Sequence, residues 1–314
     1  MTETNPQLAM VFPGQGSQAV GMLAELGADH EIVIETFREA SKVLGYDLWA
    51  LCQEGPAEDL NQTDRTQPAM LSAGVAVWRA WCEQGGARPA LMAGHSLGEY
   101  SALVCAGALH FSDAVALVAE RGRRMQAAVP AGTGAMAAIL GLDDAQVVEL
   151  CRQAEEGEVV AAVNFNSPGQ VVIAGNQAAV GRAMALAKEA GAKRALPLPV
   201  SVPSHCSLMQ PAAEAFAATL AGVELRVPEM PVLHNVDVQL HNDSDAIRAA
   251  LAQQLYSPVR WVETVQAMGH QGIRHCLEMG PGKVLAGLNK RIDKELETRA
   301  VYDPASLTEA LQRA

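Results

Sequence analysis

Hydrophobic and polar positions in the first part of the chain alternate in blocks that predict strands separated by helices. Short apolar runs of strand length stand next to longer stretches in which apolar residues recur at helical spacing. Because parallel strands are joined by crossover helices, this order predicts an α/β fold with a parallel, helix-covered sheet. The predicted elements are a strand ending at Met10-Val11-Phe12, a strand over Ala90–Ala93, and helices over Glu31–Leu44, Pro68–Gln84, Leu97–Ala106 and Ser112–Val129.

The pattern changes after Pro130, where a second set of elements begins. Their order is βαββαβ, which is that of a ferredoxin-like unit. The predicted elements are strand Gly134–Gly141, helix Asp143–Glu156, strands Val159–Phe165 and Gln170–Ala174, helix Asn176–Ala190 and strand Arg194–Leu198. We therefore expect residues 131–198 to form a small ferredoxin-like subdomain, inserted into a large subdomain made of residues 1–130 and 199–314.

Helices and strands alternate again after this insertion, with no internal repeat and no long linker. The predicted elements are a helix after Ser207, strand Val232–Asn235, helices Ala246–Leu255 and Val262–His270, strand Arg274–Glu278, and a helix after Gly280-Pro281-Gly282. The return to the first pattern indicates that these residues complete the large subdomain.

Charge and composition exclude several classes of protein. The formal net charge is −12 and the basic residues form no cluster, which argues against a nucleic-acid partner. No apolar run is long enough to span a bilayer, and the polar N-terminus resembles neither a signal nor a transit peptide. The six cysteines are scattered and form no Cys-x-x-Cys pair, as is typical of a reduced, cytoplasmic protein.

A serine at a strand-to-helix corner is the first candidate for chemistry. Ser96 stands between Gly94 and Gly98, at the spacing Gly-x-Ser-x-Gly. Such a turn is tight, so small residues flank it while the central side chain points into a cleft. Backbone N–H groups at the start of the following helix point to the same place, where they can stabilise a developing negative charge.

His205 is the candidate base for this serine. It lies just before a helix, where the insertion returns the chain, and residues at such junctions line clefts between domains. His95 is adjacent to Ser96, but neighbours on a tight turn point apart, so His95 is a poor base. Most of the other histidines are interpreted as polar surface or loop residues; they are His30, His110, His234, His241, His270 and His275.

Arg121 lies on an otherwise apolar helical face, whereas Arg123 points to the opposite side. The apolar residues within about 60° of Arg121, at about 100° per residue, are Ala114, Leu117, Val118, Met125 and Ala128. A buried guanidinium must find an anion, because an unpaired buried charge is very costly. That anion is either a protein carboxylate in a structural ion pair or the carboxylate of a substrate, which suits the planar fork of arginine.

The sequence contains no further catalytic set. No Asp or Glu stands out as the third member of a Ser-His-acid triad, and a backbone carbonyl can orient the histidine instead. There is no His-Glu-x-x-His motif and no Cys/His cluster for a metal. The segment Gly14-Gln15-Gly16 completes no phosphate-binding fingerprint. We therefore expect a serine nucleophile that works without a metal or a cofactor.

With these features the chain resembles, essentially from end to end, the bacterial malonyl-CoA:acyl carrier protein transacylases of type II fatty acid synthesis. Jointly, the matching motifs are far more specific than the serine turn alone. The matching segments are residues 12–18, 94–100, 202–205, 254–259 and 278–282.

The resemblance implies an α/β-hydrolase-like large subdomain with a ferredoxin-like insertion. It implies that Ser96 is the nucleophile and that His205 is its general base and acid. The family orients this histidine through a backbone carbonyl at the position of Gln254, and the backbone N–H groups of Gln15 and Leu97 would form the oxyanion hole.

The activity implied by the resemblance is transfer of the malonyl group of malonyl-CoA to the phosphopantetheine thiol of holo acyl carrier protein. The transfer would follow a ping-pong mechanism through a malonyl ester on Ser96 and would supply malonyl-carrier protein for fatty acid elongation. Arg121 would bind the free carboxylate of the malonyl group. A monomer is the expected oligomeric state.

Docking of the carrier protein is harder to place from sequence. Acyl carrier proteins are acidic and so is this chain, so a local basic patch must compensate. Lys283, Lys290 and Arg291, around the last predicted helix, are candidates, although an ordinary solvated helix face explains them equally well.

Three other functions remain open on sequence grounds. The first is another acyltransferase of the same architecture, such as the malonyl-transferring subunit of a malonate decarboxylase or a polyketide acyltransferase. The second is a serine hydrolase, which needs productive attack by water and no inward arginine. The third is a noncatalytic carrier-binding or scaffold protein, which the intact set of Ser96, His205 and Arg121 argues against.

Overall fold

The computed structural model of the chain describes residues 3–130, 132–200 and 202–313. Two sheets and their covering helices form an α/β fold, as predicted. The strands are β1 (Thr4–Phe12), β2 (Arg88–Gly94), β3 (Gly134–Leu140), β4 (Val160–Ser167), β5 (Gln170–Asn176), β6 (Arg194–Pro197), β7 (Val232–Leu233), β8 (His275–Met279) and β9 (Glu297–Val301).

The helices surround both sheets, and none among the described residues is long and apolar enough to cross a membrane. A single 3₁₀ turn at Ser207–Met209 precedes the tenth of them. The helices are α1 (Ala24–Asp29), α2 (Glu31–Leu44), α3 (Leu48–Glu54), α4 (Ala57–Leu60), α5 (Thr63–Glu83), α6 (Gly98–Cys105), α7 (Phe111–Ala128), α8 (Asp144–Ala154), α9 (Gln177–Glu189), α10 (Gln210–Ala221), α11 (Ser244–Gln253), α12 (Trp261–His270), α13 (Val284–Ile292) and α14 (Pro304–Arg313).

The larger sheet is parallel, with five strands in the order β7-β2-β1-β8-β9. Its central strand β1 is buried on both faces from Leu8 to Phe12, as expected where helices cover both sides. The last residue of β1, Phe12, pairs with Gly94 at the end of β2. The loops that follow these two strands therefore meet at the carboxyl edge of the sheet, where open α/β sheets bind their ligands.

The smaller sheet is antiparallel, with the order β4-β5-β3-β6. Helices α8 and α9 pack on one of its faces around a separate apolar core. Asp143 caps the N-terminus of α8 through a reciprocal capping box with Gln146, as expected for an acidic residue at a helix start. The element order matches the predicted βαββαβ order. Three boundary residues of the predicted subdomains lie outside the described residues: Ala131, where the insertion would begin, and Met1 and Ala314, the outer limits of the large subdomain.

Several elements differ from the sequence prediction, and the helices α3, α4 and α14 were not predicted. Helix α5 begins at Thr63 instead of Pro68, because Thr63, Thr66 and Gln67 are buried and the proline falls early in the helix. Strand β9 was not predicted, since it is an edge strand with only Val301 fully buried and so lacks an apolar run. Strand β7 ends at Leu233, two residues earlier than predicted, because the next two residues bond to a buried side chain described below.

Backbone contacts join the smaller sheet to the loop between α11 and α12, beside the site. The N–H of Val259 donates to the carbonyl of Val163 in β4 at 2.8 Å, and the N–H of Phe165 donates to the carbonyl of Val259 at 3.0 Å. These bonds hold strand β4 of the smaller sheet against that loop of the rest of the chain.

Candidate active site

Ser96 occupies the tight turn between β2 and α6. Its backbone φ is +51°, in the left-handed region that non-glycine residues rarely adopt. A Cβ at Gly94 would overlap the backbone of Gly98, and a Cβ at Gly98 would overlap the backbone carbonyl of Phe12. Only glycine fits on either side of the serine, so the strained strand–turn–helix corner predicted from the spacing is present.

His205 reaches this serine from the far side of the cleft. Its Nε2 lies 2.8 Å from Oγ of Ser96, and its Nδ1 lies 2.7 Å from the backbone carbonyl oxygen of Gln254. Because a carbonyl only accepts, the proton sits on Nδ1, and Nε2 offers its lone pair to the serine hydroxyl. This carbonyl accepts the Nδ1 proton at the position where a Ser-His-acid triad would have its carboxylate.

Burial and a nearby cation keep this imidazole neutral. The side chain of His205 is 3% exposed. Burial, with the positive charge of Arg121 as the next cause, lowers the pKa of His205 to about 3. At neutral pH the ring is therefore in the form that can accept a proton from Ser96.

Arg121 is fully buried on the inward face of α7, while Arg123 is exposed. Its Nη1 and Nη2 donate, each at 2.9 Å, to the side-chain oxygens of Gln67 and Gln254. Its Nε has no hydrogen-bond partner among the described residues. Within the same part of the chain no carboxylate lies within 4.0 Å of the guanidinium, so the structural ion pair considered from sequence is not present there.

These side chains share one cavity of about 370 Å³. Ser96, His205 and Arg121 line it together with Gln15 and Leu97, the two residues expected to supply the oxyanion hole. Neither of the latter residues donates its backbone N–H to another group of the described chain, so both donors remain available to a ligand. Gln254 lies just behind the cavity, completely buried.

Asn235 holds the serine turn through hydrogen bonds to its backbone. The sequence did not predict this role. Its Oδ1 accepts the backbone N–H of Ser96 at 2.7 Å, and its Nδ2 donates to the carbonyl of Gly94 at 2.7 Å. The backbone N–H of Asn235 in turn donates to Glu99 at 2.9 Å. A lone asparagine after a short strand gives no sequence signal of such a role, because its partners are far away along the chain.

His234 corrects the sequence interpretation, whereas His95 lies as expected. His234, interpreted as a surface or loop residue, is completely buried, with Nδ1 2.8 Å from Oε1 of Glu99. His95 turns away from Ser96, as expected, and its Nε2 lies 2.8 Å from Oδ1 of Asn166 in β4. His95 therefore joins the serine turn to the smaller sheet.

Comparison with known proteins shows which family the chain belongs to. Residues 9–301 match the model of the acyl transferase domain family. The chain is 62% identical, over 97% of its length and 99% of the relative's, to the malonyl CoA-acyl carrier protein transacylase of Salmonella typhimurium.

Solved structures agree with this. An acyl carrier protein S-malonyltransferase from Vibrio cholerae is 63% identical with a TM-score of 0.94, over 96% of this chain and 99% of that one. A malonyl-transacylase in complex with its holo type II PKS acyl-carrier protein is 58% identical with a TM-score of 0.97, over 98% and 100% of the two chains. The chain therefore belongs to the acyl transferase domain family, among the malonyl CoA-acyl carrier protein transacylases, and is an acyltransferase.

Proposed function

We propose that this acyltransferase moves the malonyl group from malonyl-CoA to the phosphopantetheine thiol of holo acyl carrier protein, through a malonyl ester on Ser96, and so supplies malonyl-carrier protein for fatty acid elongation. One observation carries the proposal: an activated serine and a buried arginine without a carboxylate partner among the described residues line the same cavity. The serine attacks the thioester carbonyl of the malonyl group, and the arginine can bind the free carboxylate at the other end of that group.

The first half-reaction loads the enzyme. Nε2 of His205 takes the hydroxyl proton of Ser96 as Oγ attacks the thioester carbonyl of malonyl-CoA. The backbone N–H groups of Gln15 and Leu97 stabilise the negative oxygen of the tetrahedral intermediate. When the C–S bond breaks, the proton on His205 passes to the leaving sulfur, and a malonyl ester remains on the serine.

The second half-reaction runs the same steps in reverse. The phosphopantetheine thiol of the carrier protein gives its proton to His205 and attacks the ester carbonyl. The C–O bond breaks, the proton returns from His205 to Oγ of Ser96, and the malonyl thioester leaves with the carrier protein. Neither step needs a metal or cofactor, because the thioester and the ester are both reactive toward a positioned nucleophile.

The depressed pKa of His205 predicts the pH profile. A histidine whose pKa is lowered to about 3 stays neutral as the pH falls through the ordinary histidine range, so acylation should keep its rate there. Arg121→Met removes a positive charge that disfavours the imidazolium, so the pKa of His205 should rise and the acid limb should move to higher pH. The measurement is kcat/KM against pH with acetyl-CoA, whose acyl group has no carboxylate of its own. Coinciding acid limbs in the two enzymes would contradict this electrostatic coupling.

The docking surface is proposed at the basic face of α13. Lys283, Lys290 and Arg291 are exposed there. A Cβ at Gly282 would lie 3.7 Å from the carbonyl oxygen of Ser17, in the loop after β1, so the start of α13 adjoins the mouth of the cavity. The relative solved with its holo carrier protein supports such a partner.

Charge reversal tests this surface. Lys290→Glu combined with Arg291→Glu is expected to raise the KM for holo carrier protein, by up to about tenfold for two exposed pairs, and to leave the KM for malonyl-CoA unchanged. The matched control is Lys188→Glu with Lys193→Glu, which makes the same change in net charge at exposed positions of the smaller sheet's periphery. Equal effects of the two double variants, or none, would show that the docking face lies elsewhere.

Further parts of the proposal concern organisation. We assign residues 131–198 to a ferredoxin-like subdomain inserted into an α/β-hydrolase-like subdomain of residues 1–130 and 199–314, a division supported by the separate sheets and cores.

The site is complete within one chain, which supports a monomer. A cytoplasmic location fits six free cysteines, one of them exposed.

Product analysis tests the function as a whole. Acyl-labelled malonyl-CoA is incubated with the enzyme and either holo carrier protein or apo carrier protein, which lacks the thiol. We expect label on the holo form, none on the apo form, and slower release of free malonate. Release of malonate that outpaces transfer would identify a hydrolase instead.

A further inference from the structure

Glu99 is a fully buried carboxylate that the proposed chemistry does not use. Its Oε1 accepts from Nδ1 of His234 at 2.8 Å. Its Oε2 accepts from the backbone N–H of Asn235 at 2.9 Å and from the side-chain amide of Gln254 at 3.0 Å. All three partners donate, which is the arrangement that an ionised carboxylate requires, since it can only accept.

His234 does not cancel this negative charge. The ring is completely buried, Nδ1 faces Glu99, and Nε2 has no hydrogen-bond partner in the part of the chain that the structure describes. An imidazolium would bury an N–H group without an acceptor, whereas a neutral ring with its proton on Nδ1 leaves only a lone pair unpaired. The pair is therefore a neutral histidine donating to an anion.

The side-chain amide of Gln254 links that anion to Arg121. Its Nε2 donates to Glu99, and its Oε1 accepts from Nη2 of the guanidinium at 2.9 Å. The amide dipole is thus aligned, with its positive end toward the carboxylate and its negative end toward the cation. Burial lowers the pKa of the Arg121 guanidinium, while Tyr100 and the carboxylate of Glu99 act against that shift.

We propose that Glu99 is the resident counter-charge of Arg121, and that the intervening amide keeps the guanidinium open for the carboxylate of the substrate. A carboxylate in direct contact would also stabilise a buried cation, but it would occupy the donors that a substrate needs. Held one amide away, Glu99 offsets the charge and leaves Nε of Arg121 without a partner among the described residues. This inference rests on the proposed carboxylate-binding role of Arg121 and makes Glu99 a positioning residue.

A double-mutant cycle on stability tests the coupling without any assay of transfer. The four proteins are the parent enzyme, Glu99→Gln, Arg121→Met and the double variant, compared by their urea midpoints. Glutamine at 99 can keep all three hydrogen bonds only if His234 moves its proton to Nε2, where it finds no acceptor among the described residues. That cost is the same with and without Arg121, so the cycle cancels it and isolates the charge coupling. We expect Glu99→Gln to lower the midpoint more when Arg121 is present than when it is absent.

The control is Glu278→Gln, which neutralises another buried carboxylate. Glu278 accepts from the backbone N–H groups of Leu285 and Ala286 at the start of α13 and does not contact Arg121. Its midpoint shift should be the same with and without Arg121. Should Glu99→Gln fold only in the Arg121→Met background, that rescue also supports the proposal.

Two results would overturn it. The first is an equal loss of midpoint from Glu99→Gln in both backgrounds, including failure to fold in both, which would make Glu99 a hydrogen-bonding scaffold only. The second concerns substrate: removing the resident anion should lower the KM for malonyl-CoA relative to that for acetyl-CoA, and an equal change in both would contradict the proposal. The stability cycle stands even if transfer fails as the function, so the two failures can be told apart.

Discussion

Ser96→Ala is expected to reduce malonyl transfer by at least about 10⁴-fold, because the attacking atom is removed while the binding groups remain. The measurement is the initial rate of malonyl transfer to holo carrier protein. Loss of one oxygen should leave the urea midpoint close to that of the parent enzyme, since alanine also fits beside the two glycines.

Ser101→Ala provides the matched control. Ser101 is a buried serine in helix α6, which follows the Ser96 turn, and its hydroxyl has no hydrogen-bond partner among the described residues. This variant should transfer malonyl at nearly the parent rate. Transfer by Ser96→Ala within about tenfold of the parent would mean that another group accepts the acyl chain.

Arg121→Ala carries the second largest expected effect, on selectivity. Hydrogen bonds to a charged group are worth about 1.5–3 kcal/mol each, so losing them should reduce the preference for malonyl over acetyl about ten- to a hundredfold or more. Malonyl transfer should fall, whereas acetyl transfer should persist or rise, because acetyl has no carboxylate for Arg121 to bind. The measurement is kcat/KM for both thioesters.

Arg123→Ala is the control on the same helix, since Arg123 is exposed and, among the residues that the structure describes, is paired only with Glu120. Arg123→Ala should change neither the malonyl nor the acetyl transfer rate.

If Arg121→Ala lowered malonyl and acetyl transfer equally, the guanidinium would be a structural support and not a carboxylate-binding group.

Local patterns predicted the parts of the site that depend on neighbouring residues. The turn around Ser96 follows from its two glycines, and the inward position of Arg121 follows from the helical period of apolar residues in α7. His205 was found because it lies where the chain returns from the insertion. In each case the signal lies within a few residues of the side chain concerned.

The support beneath the site could not be predicted in this way. Glu99 contacts His234 and Asn235 across 135 and 136 residues of sequence, and Gln254 contacts Arg121 across 133. Such pairings depend on the packing of elements that only the folded chain brings together. A glutamate on a helix and a histidine after a strand are ordinary surface residues by composition, so nothing marked them as buried partners.

The malonyl ester on Ser96 is the central claim, and mass spectrometry of the intact enzyme after mixing with malonyl-CoA tests it most directly. We expect a mass increase of one malonyl group, mapped by peptide analysis to Ser96. Holo carrier protein should discharge it rapidly and water only slowly. An active enzyme that acquires no adduct, or an adduct on another residue, would contradict the account.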